Sequence, residues 1–397
     1  MTLNETPSAN RLHIGFYGKR NSGKSSLINA FTGQDVSIVS DVAGTTTDPV
    51  NKAMEIHGLG ACVLVDTAGF DDIGELGKIR VEKTEKTAEK IDIAIVLFSG
   101  DDITLECRWY EFFKNKNIPV LPVVSKADLL VNGSAYALKI RGKIGTTPLQ
   151  VSSLDGSGIS ELKEELIRLI PSDYDAPSIT GKLCEENDLV LLVMPQDIQA
   201  PKGRLILPQV QTIRELLDKK CIVASCTTDK LTETLAALSR APKLIITDSQ
   251  VFDYVHKTKP GESMLTSFSV LFAAYKGDLP YYIEGAKALD SLTENSRVLI
   301  AECCTHAPLS EDIGREKIPR LLRKRVGEGL KIDIVSGTDF PDSLKDYDLI
   351  IQCGGCMFNR KYIMSRIDRA RGENIPMTNY GVTIAHITGI LDDIARP

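Results

Sequence analysis

Residues 18–25, with the sequence G-K-R-N-S-G-K-S, have the composition of a loop that binds nucleotide phosphates. They match the pattern G-x-x-x-x-G-K-S/T without a mismatch, between an apolar run and a helical segment. Glycines let backbone N–H groups close around phosphates, Lys24 can neutralise the β- and γ-phosphate oxygens, and Ser25 can offer a hydroxyl to Mg²⁺. An ordinary glycine turn is the alternative interpretation. The residues expected to bind phosphate or Mg²⁺ here are Gly18, Asn21, Ser22, Gly23, Lys24, Ser25 and Ser26.

Two further segments favour GTP over ATP as the nucleotide. Residues 66–69, D-T-A-G, follow an apolar run, so Asp66 can hold Mg²⁺ through water and the Gly69 N–H can contact the γ-phosphate. Residues 125–128, S-K-A-D, resemble the guanine-binding motif N-K-x-D. The Asp128 carboxylate can accept the N1–H and 2-amino groups of guanine, and the Lys126 stem can lie along the base.

The guanine-binding segment departs from its motif at one position. Ser125 replaces the usual Asn, and we expect the loss of one hydrogen bond, worth about 1 kcal/mol. Residues 151–153, V-S-S, follow the last strand of this region and resemble the S-A-x element that supports the base. We therefore expect Ser152 and Ser153 to line the nucleotide site.

The segment G-T-T-T-D at residues 44–48 lies between the phosphate loop and Asp66. It resembles the G-T-T-R-D signature of the GTPases related to translation factors, which include the tRNA-modification and Era-like groups, with Thr47 in place of Arg. That resemblance implies that Thr46 is the second protein hydroxyl on Mg²⁺ beside Ser25, with Thr45 as the alternative. A threonine-rich polar loop is the other interpretation.

The residues expected to support hydrolysis form an incomplete set. Phe70 follows the D-x-x-G segment where Ras-like enzymes have a Gln that orients the attacking water, so we expect slow GTP hydrolysis. Asn21 matches the position at which K⁺-activated relatives bind K⁺, which predicts K⁺ stimulation; a role in turn geometry is the alternative. The residues expected to be catalytic are Lys24, Thr46 and Asn21.

Two cysteine-bearing segments near the C-terminal end form a second candidate site. Cys304 and His306 follow the apolar run 298–301, and Cys353 and Cys356 follow the apolar run 349–352. Because the carboxyl ends of parallel strands share one edge of a sheet, the two segments can meet. Chemistry alone leaves three alternatives open: a Cys₃His zinc site, a Cys353/Cys356 redox dithiol, and a [4Fe–4S] cluster on three cysteines.

Alternating apolar runs and helical stretches must position these residues. Between residues 12 and 170 the pattern predicts an α/β fold with a mostly parallel sheet. Residues 171–178 are rich in Pro, Ser and Asp, as in a linker, and the apolar runs resume after them. We expect an N-terminal P-loop GTPase domain (1–170), a small α/β middle domain for dimerisation (180–260) and a C-terminal α/β cluster-binding domain (263–397).

Composition limits the classes of function. The 397 residues are 43% hydrophobic and 25% charged, as in soluble globular proteins. The formal net charge of −6 and the absence of a Lys/Arg cluster predict no nucleic-acid partner. The apolar runs are too short to cross a membrane, the first residues have no signal-peptide pattern, and the nine cysteines are an odd number. We therefore expect no membrane partner and a cytoplasmic location.

The order of the motifs along the whole chain resembles the [FeFe]-hydrogenase maturation GTPases of the HydF family, which combine an Era-like GTPase, a linker domain and a C-x-H…H-C-x-x-C pattern. The resemblance implies that Cys304, Cys353 and Cys356 bind a [4Fe–4S] cluster. Gln352 stands where many members have His, so His306, water or a carboxylate such as Glu302 is the expected fourth ligand. Cys303 is excluded because it should point away from its neighbour Cys304.

The resemblance also implies a function for the whole chain. It would be a homodimeric GTPase and scaffold that receives the diiron subcluster precursor from radical-SAM maturases and delivers it to the hydrogenase apoprotein. The implied cofactors are GTP, Mg²⁺, a [4Fe–4S] cluster and K⁺. The alternative functions are an Era-like GTPase with a structural zinc site that acts on RNA or ribosomes, and a redox regulator that uses a cysteine dithiol.

Overall fold

The computed structural model describes residues 8–33, 50–56, 58–69, 84–170, 178–195, 205–303 and 313–397. The chain forms two compact units, Met1–Asp175 and Ala176–Pro397. Three parallel or mostly parallel sheets, each with helices beside it, give the chain an α/β fold, as the alternating pattern predicts.

The first unit is built on a six-stranded sheet with the order β2-β3-β1-β4-β5-β6. All strand pairs are parallel except β2 with β3. The strands are β1 (Leu12–Gly18), β2 (Val50–Ile56), β3 (Gly60–Asp66), β4 (Ile93–Phe98), β5 (Val120–Val124) and β6 (Leu149–Gln150). The helices are α1 (Lys24–Thr32), α2 (Thr104–Asn115), α3 (Gly133–Ile144) and α4 (Ile159–Arg168), and residues 84–88 are also helical.

Side-chain alternation along β1 separates two hydrophobic cores on opposite faces of this sheet. Leu12, Ile14 and Phe16 belong to the core that also includes residues of α1 and α4. Tyr17 belongs to the other core, where its ring stacks on Trp109 of α2 at a centroid distance of 5.8 Å. Helices on both faces therefore bury the sheet and fix its carboxyl edge, from which the phosphate loop leaves.

The second unit contains two four-stranded parallel sheets, with the orders β10-β9-β7-β8 and β12-β11-β13-β14. The strands are β7 (Leu189–Val193), β8 (Ile222–Cys226), β9 (Leu244–Thr247), β10 (Met264–Ser267), β11 (Arg297–Ala301), β12 (Lys331–Val335), β13 (Leu349–Gln352) and β14 (Met377–Asn379). The helices are α5 (Leu207–Asp218), α6 (Leu231–Ala237), α7 (Phe252–Thr258), α8 (Phe268–Lys276), α9 (Leu279–Ala286), α10 (Ile318–Val326), α11 (Arg360–Gly372) and α12 (Tyr380–Ile387).

One hydrophobic cluster joins the two sheets of the second unit. It includes Leu191 and Ile245 from the first sheet and Val298 and Ile350 from the second, all fully buried. Helix α8 contacts both α11 and α12, so the segment before residue 277 packs against the segment after it. The assignment of 180–260 and 263–397 to separate domains stays a prediction.

The register of the second sheet positions the cysteine segments. Strands β11 and β13 are adjacent and parallel, with Ala301 opposite Gln352. Each strand ends at this point, so Cys303 and Cys353 leave the same edge of the sheet.

In the described part of the chain, no helix is long and apolar enough to cross a membrane.

Candidate functional site

The phosphate loop connects β1 directly to α1, as its motif requires. Asn21 and Gly23 have positive φ angles of 56° and 90°, and the Ser22 N–H donates to the Lys19 carbonyl oxygen over 3.2 Å. This left-handed geometry is the one in which successive backbone N–H groups can face a bound anion. Gly23 also precedes the first turn of α1, whose N-terminal N–H groups favour a phosphate.

The Lys24 ammonium is held inside the phosphate loop. Its Nζ donates to the carbonyl oxygens of Gly18 and Lys19 over 2.9 and 2.7 Å. Lys24 is 8% exposed, so burial by α1 and the loop limits where the charge can go. The ammonium is therefore confined to the loop, where phosphate oxygens would bind.

Ser25 and Asp66 are brought together as a magnesium site requires. The Ser25 hydroxyl donates to Asp66 Oδ2 over 2.6 Å, and the second carboxylate oxygen, Oδ1, is buried without a hydrogen-bond partner among the described residues. Burial raises the pKa of Asp66, and the Ser25 hydrogen bond and the Lys24 charge oppose that rise. A hydroxyl beside a buried carboxylate is a donor set that fits Mg²⁺.

The loop that follows Asp66 is fixed at its start. Thr67 Oγ1 donates to the Phe16 carbonyl oxygen of β1 over 2.7 Å, and Thr67 is 1% exposed. The chain therefore leaves β3 in a defined direction, toward buried Gly69.

The two base-binding segments also meet at the sheet edge. Ser152 Oγ donates to Asp128 Oδ1 over 2.6 Å, and the Ala127 N–H donates to the Val151 carbonyl oxygen over 3.0 Å. Ser152 is fully buried whereas Asp128 is exposed, so Ser152 orients a carboxylate that remains accessible to a base. Ser153, the next residue, is half-buried.

Ser125 has a different structural role from the one expected of the motif position. Its hydroxyl donates to the Ser22 carbonyl oxygen over 2.7 Å, and the side chain is buried. The next residue, Lys126, has φ 56°, and its Cε lies 3.7 Å from the ideal position of a Cβ on Gly23. The base-binding segment therefore contacts the phosphate loop directly.

Several predicted residues lie outside the described residues. Among them are Thr46, its alternative Thr45, and Phe70. The second magnesium hydroxyl and the slow turnover therefore stay predictions. Asn21 is described, and it is exposed at the loop surface.

A buried ion pair beside the phosphate loop was not expected from the motifs. Lys19 Nζ lies 3.0 Å from Glu106 Oε2, and the Glu106 side chain is fully buried on α2. Burial raises the pKa of Glu106, and the Lys19 hydrogen bond opposes this. The signal in the sequence is a carboxylate on the apolar face of a helix, three and four residues before Trp109 and Tyr110.

The cysteine segments meet at the edge of the second sheet. The Cys303 N–H donates to Cys353 Sγ over 3.0 Å. A hydrogen bond with the Cys303 side chain lowers the pKa of Cys353 to about 7 against the effect of burial, and amide hydrogen bonds from Gly355 and Cys303 add to the lowering. A cysteine with this pKa readily supplies the thiolate that zinc or an iron–sulfur cluster requires.

The expectation that Cys303 points away from this site is wrong. Its Sγ accepts hydrogen bonds from Gln352 Nε2 over 3.0 Å and from Arg366 Nη1 over 3.6 Å. The alternation rule was applied to Cys303 although β11 ends at Ala301, two residues earlier. Gln352, fully buried, contacts the sulfur atoms through its amide.

The complete ligand set cannot be assembled from the described residues. Cys304 and His306 lie outside them, and within them no group of three or more Cys, His, Asp or Glu side chains could hold a metal ion. Cys353 and Cys356 are half-buried and accessible to a ligand. Glu302 is engaged elsewhere, since its Oε2 lies 3.0 Å from Arg315 Nη2 and 3.2 Å from Ser336 Oγ.

Three family models match successive parts of the chain. Residues 13–126 match a model described as 50S ribosome-binding GTPase. Residues 179–277 match the hydrogen maturase F dimerization domain, and residues 280–397 match the hydrogen maturase F tetramerization domain. The last two models together match more than half of the chain. They confirm the resemblance inferred from the motifs.

Individual relatives resemble the N-terminal part. The tRNA modification GTPase MnmE of Endomicrobium trichonymphae is 34% identical over 164 residues, which are 40% of this chain and 35% of that protein. The GTPase Der of Wolinella succinogenes is 46% identical over 98 residues, 24% of this chain and 20% of that protein. The chain spans about a third of the length of the first curated relatives it matches. A crystal structure of Aquifex aeolicus Era bound to GDP.AlF4⁻ is 20% identical, with a TM-score of 0.38 over 64% of this chain and 99% of that one.

Proposed function

Because this chain belongs to the hydrogen maturase F family, we propose that it is a GTP-hydrolysing scaffold and carrier for the diiron subcluster of [FeFe]-hydrogenase. It would receive the precursor from radical-SAM maturases and deliver it to the hydrogenase apoprotein. The observation that carries the proposal is the match of residues 179–277 and 280–397 to the two hydrogen maturase F domains, the second of which contains Cys353 and Cys356 just after β13.

Nucleotide binding and hydrolysis belong to the first unit. Its phosphate loop and Lys24 bind the phosphates, Ser25 and Asp66 hold Mg²⁺, and Asp128 binds the guanine edge. GTP hydrolysis is slow. Thr46 supplies the second protein hydroxyl that binds Mg²⁺, beside that of Ser25. Asn21 binds K⁺ at the loop surface, so KCl should accelerate hydrolysis relative to NaCl; equal rates in the two salts would contradict this role.

The cysteine segments bind the cluster. Cys304, Cys353 and Cys356 act as its thiolate ligands, and the lowered pKa of Cys353 supports this role. His306 or water completes the set, since the ion pair with Arg315 disfavours Glu302 as a ligand. With three cysteine ligands, a bound [4Fe–4S] cluster would have one iron atom free of cysteine, to which a second metal fragment could attach.

Self-association and location complete the proposal. The dimerization and tetramerization descriptions of the matched models support a homo-oligomer with the dimer as its basic unit. No disulfide is present among the described cysteines, which supports a reducing, cytoplasmic location. GTP binding would regulate partner exchange rather than drive redox chemistry.

Anaerobic reconstitution with iron and sulfide tests the cluster. We expect about four irons per chain and a paramagnetic signal after reduction in the full-length protein. Cys304→Ala, Cys353→Ala and Cys356→Ala should each abolish this signal, whereas Cys226→Ala, which changes a half-buried cysteine outside the site, is the control and should retain it. A colourless protein with one zinc per chain would instead support the Era-like alternative. Reversible Cys353/Cys356 oxidation without metal would support the redox alternative.

A further inference from the structure

We propose that two buried cations, Lys276 and Arg366, make the cysteine site selective for a negatively charged iron–sulfur ligand and raise the reduction potential of the cluster bound there. This inference rests on the proposed function, because it takes the cluster on Cys304, Cys353 and Cys356 as given. It assigns an electrostatic role to two residues outside the cysteine motifs.

Lys276 holds the loop that carries two of the predicted ligands. It is the last residue of α8 and is 3% exposed. Its Nζ donates to the carbonyl oxygens of Gly355, Cys356 and Phe358 over 3.2, 3.3 and 2.8 Å. These acceptors are neutral, so they satisfy the N–H groups of the ammonium and leave its charge in place.

Arg366 places a second buried positive charge beside Cys303. It is 1% exposed, and its Nη1 donates to Cys303 Sγ and to Gln352 Oε1, the latter over 3.0 Å. Its Nη2 donates to the Gly337 carbonyl oxygen over 2.6 Å. The guanidinium also lies 4.8 and 4.9 Å from the ring centroids of Phe340 and Tyr362.

The two charges have no carboxylate partner in the described part of the chain. Among the described residues, no ion pair joins Lys276 or Arg366 to an Asp or Glu side chain. Glu302, a carboxylate next to Cys303 in the sequence, is paired with Arg315 instead. Burying a cation without an opposite charge costs several kcal/mol. Cysteine thiolates and an anionic cluster provide that opposite charge, since three thiolates make a [4Fe–4S] cluster negative.

Fixed positive charge near a cluster also changes its redox equilibrium. Reduction adds one negative charge, so nearby cations stabilise the reduced form more than the oxidised form. Net charge and hydrogen bonding around a cluster are established determinants of its potential.

The test compares the reconstituted full-length protein with Lys276→Met, Arg366→Gln and Arg369→Gln. Arg369 is the matched control because it lies on the same helix and 5.1 Å from the same Phe340 ring, while its Nη2 donates to Pro341 and contacts neither cysteine. Iron content is measured first, and EPR-monitored redox titration then gives each midpoint potential.

We expect Lys276→Met and Arg366→Gln to lower the reduced-to-oxidised ratio at a fixed potential about tenfold each, which is about 59 mV for a one-electron couple. Arg369→Gln should match the wild type. Iron-loaded variants with the wild-type potential would overturn the inference and leave the proposed function intact, whereas a wild type without iron would overturn both.

Charge-retaining variants decide the result if a neutral variant does not load. Lys276→Arg and Arg366→Lys should restore both iron content and the wild-type potential. If neither restores loading, specific packing rather than charge is required, and the inference is contradicted.

Discussion

The Ser125 hydroxyl donates a hydrogen bond to the Ser22 carbonyl oxygen over 2.7 Å, which joins the base-binding segment to the phosphate loop. Both residues are buried. The serine at this motif position is therefore part of the structure of the loop. A nucleotide that orders either segment should order the other.

Ser125→Ala should weaken GTP binding. The change leaves the buried Ser22 carbonyl oxygen without this donor, at a cost of about 1 kcal/mol, or about fivefold in Kd. Titration of a fluorescent GTP analogue measures the effect. The exposed Ser134→Ala serves as the control and should bind as the wild type does; an unchanged Kd for Ser125→Ala would contradict the proposed link.

Asp66→Asn should remove most of the magnesium dependence of nucleotide binding. The Asp66 Oδ1 oxygen is buried and has no hydrogen-bond partner among the described residues, and the neutral amide of Asn would offer no negative charge to the cation. Thermal stabilisation by GTP should then be equal with Mg²⁺ and with EDTA, whereas the wild type should be stabilised further by Mg²⁺. A variant that keeps the magnesium effect would exclude Asp66 from the metal site.

The Lys19–Glu106 ion pair should stabilise the first unit. Lys19→Met leaves the buried Glu106 carboxylate without its cation and should cost about 3 kcal/mol of unfolding free energy. Adding Glu106→Gln to Lys19→Met should recover part of this loss because it removes the buried charge. Calorimetry of the single and double variants gives the coupling energy, and purely additive effects would show that the two side chains do not interact.

Glu215 should make the stability of the second unit pH-dependent. Burial alone would raise the pKa of Glu215, but hydrogen bonds from Ser178, Ile179 and Thr180 outweigh it and lower that pKa. A lowered pKa stabilises the folded state above the pKa of the unfolded chain, and this contribution is lost as pH falls through the folded-state pKa.

Glu215→Gln should therefore cost about 2 kcal/mol near pH 7 and progressively less below about pH 4. Glu164→Gln, at an exposed position on α4 of the first unit, is the control and should change little at either pH. A destabilisation by Glu215→Gln that does not vary with pH would contradict the assigned charge effect.

Local sequence patterns were sufficient to predict the strands and loops of the nucleotide site. The phosphate loop, Asp66 and Asp128 lie at or just after the ends of mostly buried strands, Ser152 follows the short and partly exposed strand β6, and parallel pairing then brings them together. Strand β2 was missed because its alternation is weak and most of its described side chains are exposed. Edge strands of this kind depend on the partner strand rather than on their own composition.

Contacts between distant segments could not be predicted in the same way. Lys276 donates a hydrogen bond to Cys356, which is 80 positions away in the sequence. Arg366, on α11, donates to Cys303, which is 63 positions away. Neither lies at a recognisable spacing from the cysteines. The expectation about Cys303 failed for a different reason. The alternation rule was applied two residues beyond Ala301, where β11 ends.

Activation of [FeFe]-hydrogenase apoprotein is the most direct test of the proposed function. The full chain, loaded by its radical-SAM partners, is incubated with apoprotein, and hydrogen evolution is measured. We expect activation by the wild type and by Cys226→Ala, and none by Cys353→Ala. Equal activation with Cys353→Ala, or none with the loaded wild type, would contradict the carrier function.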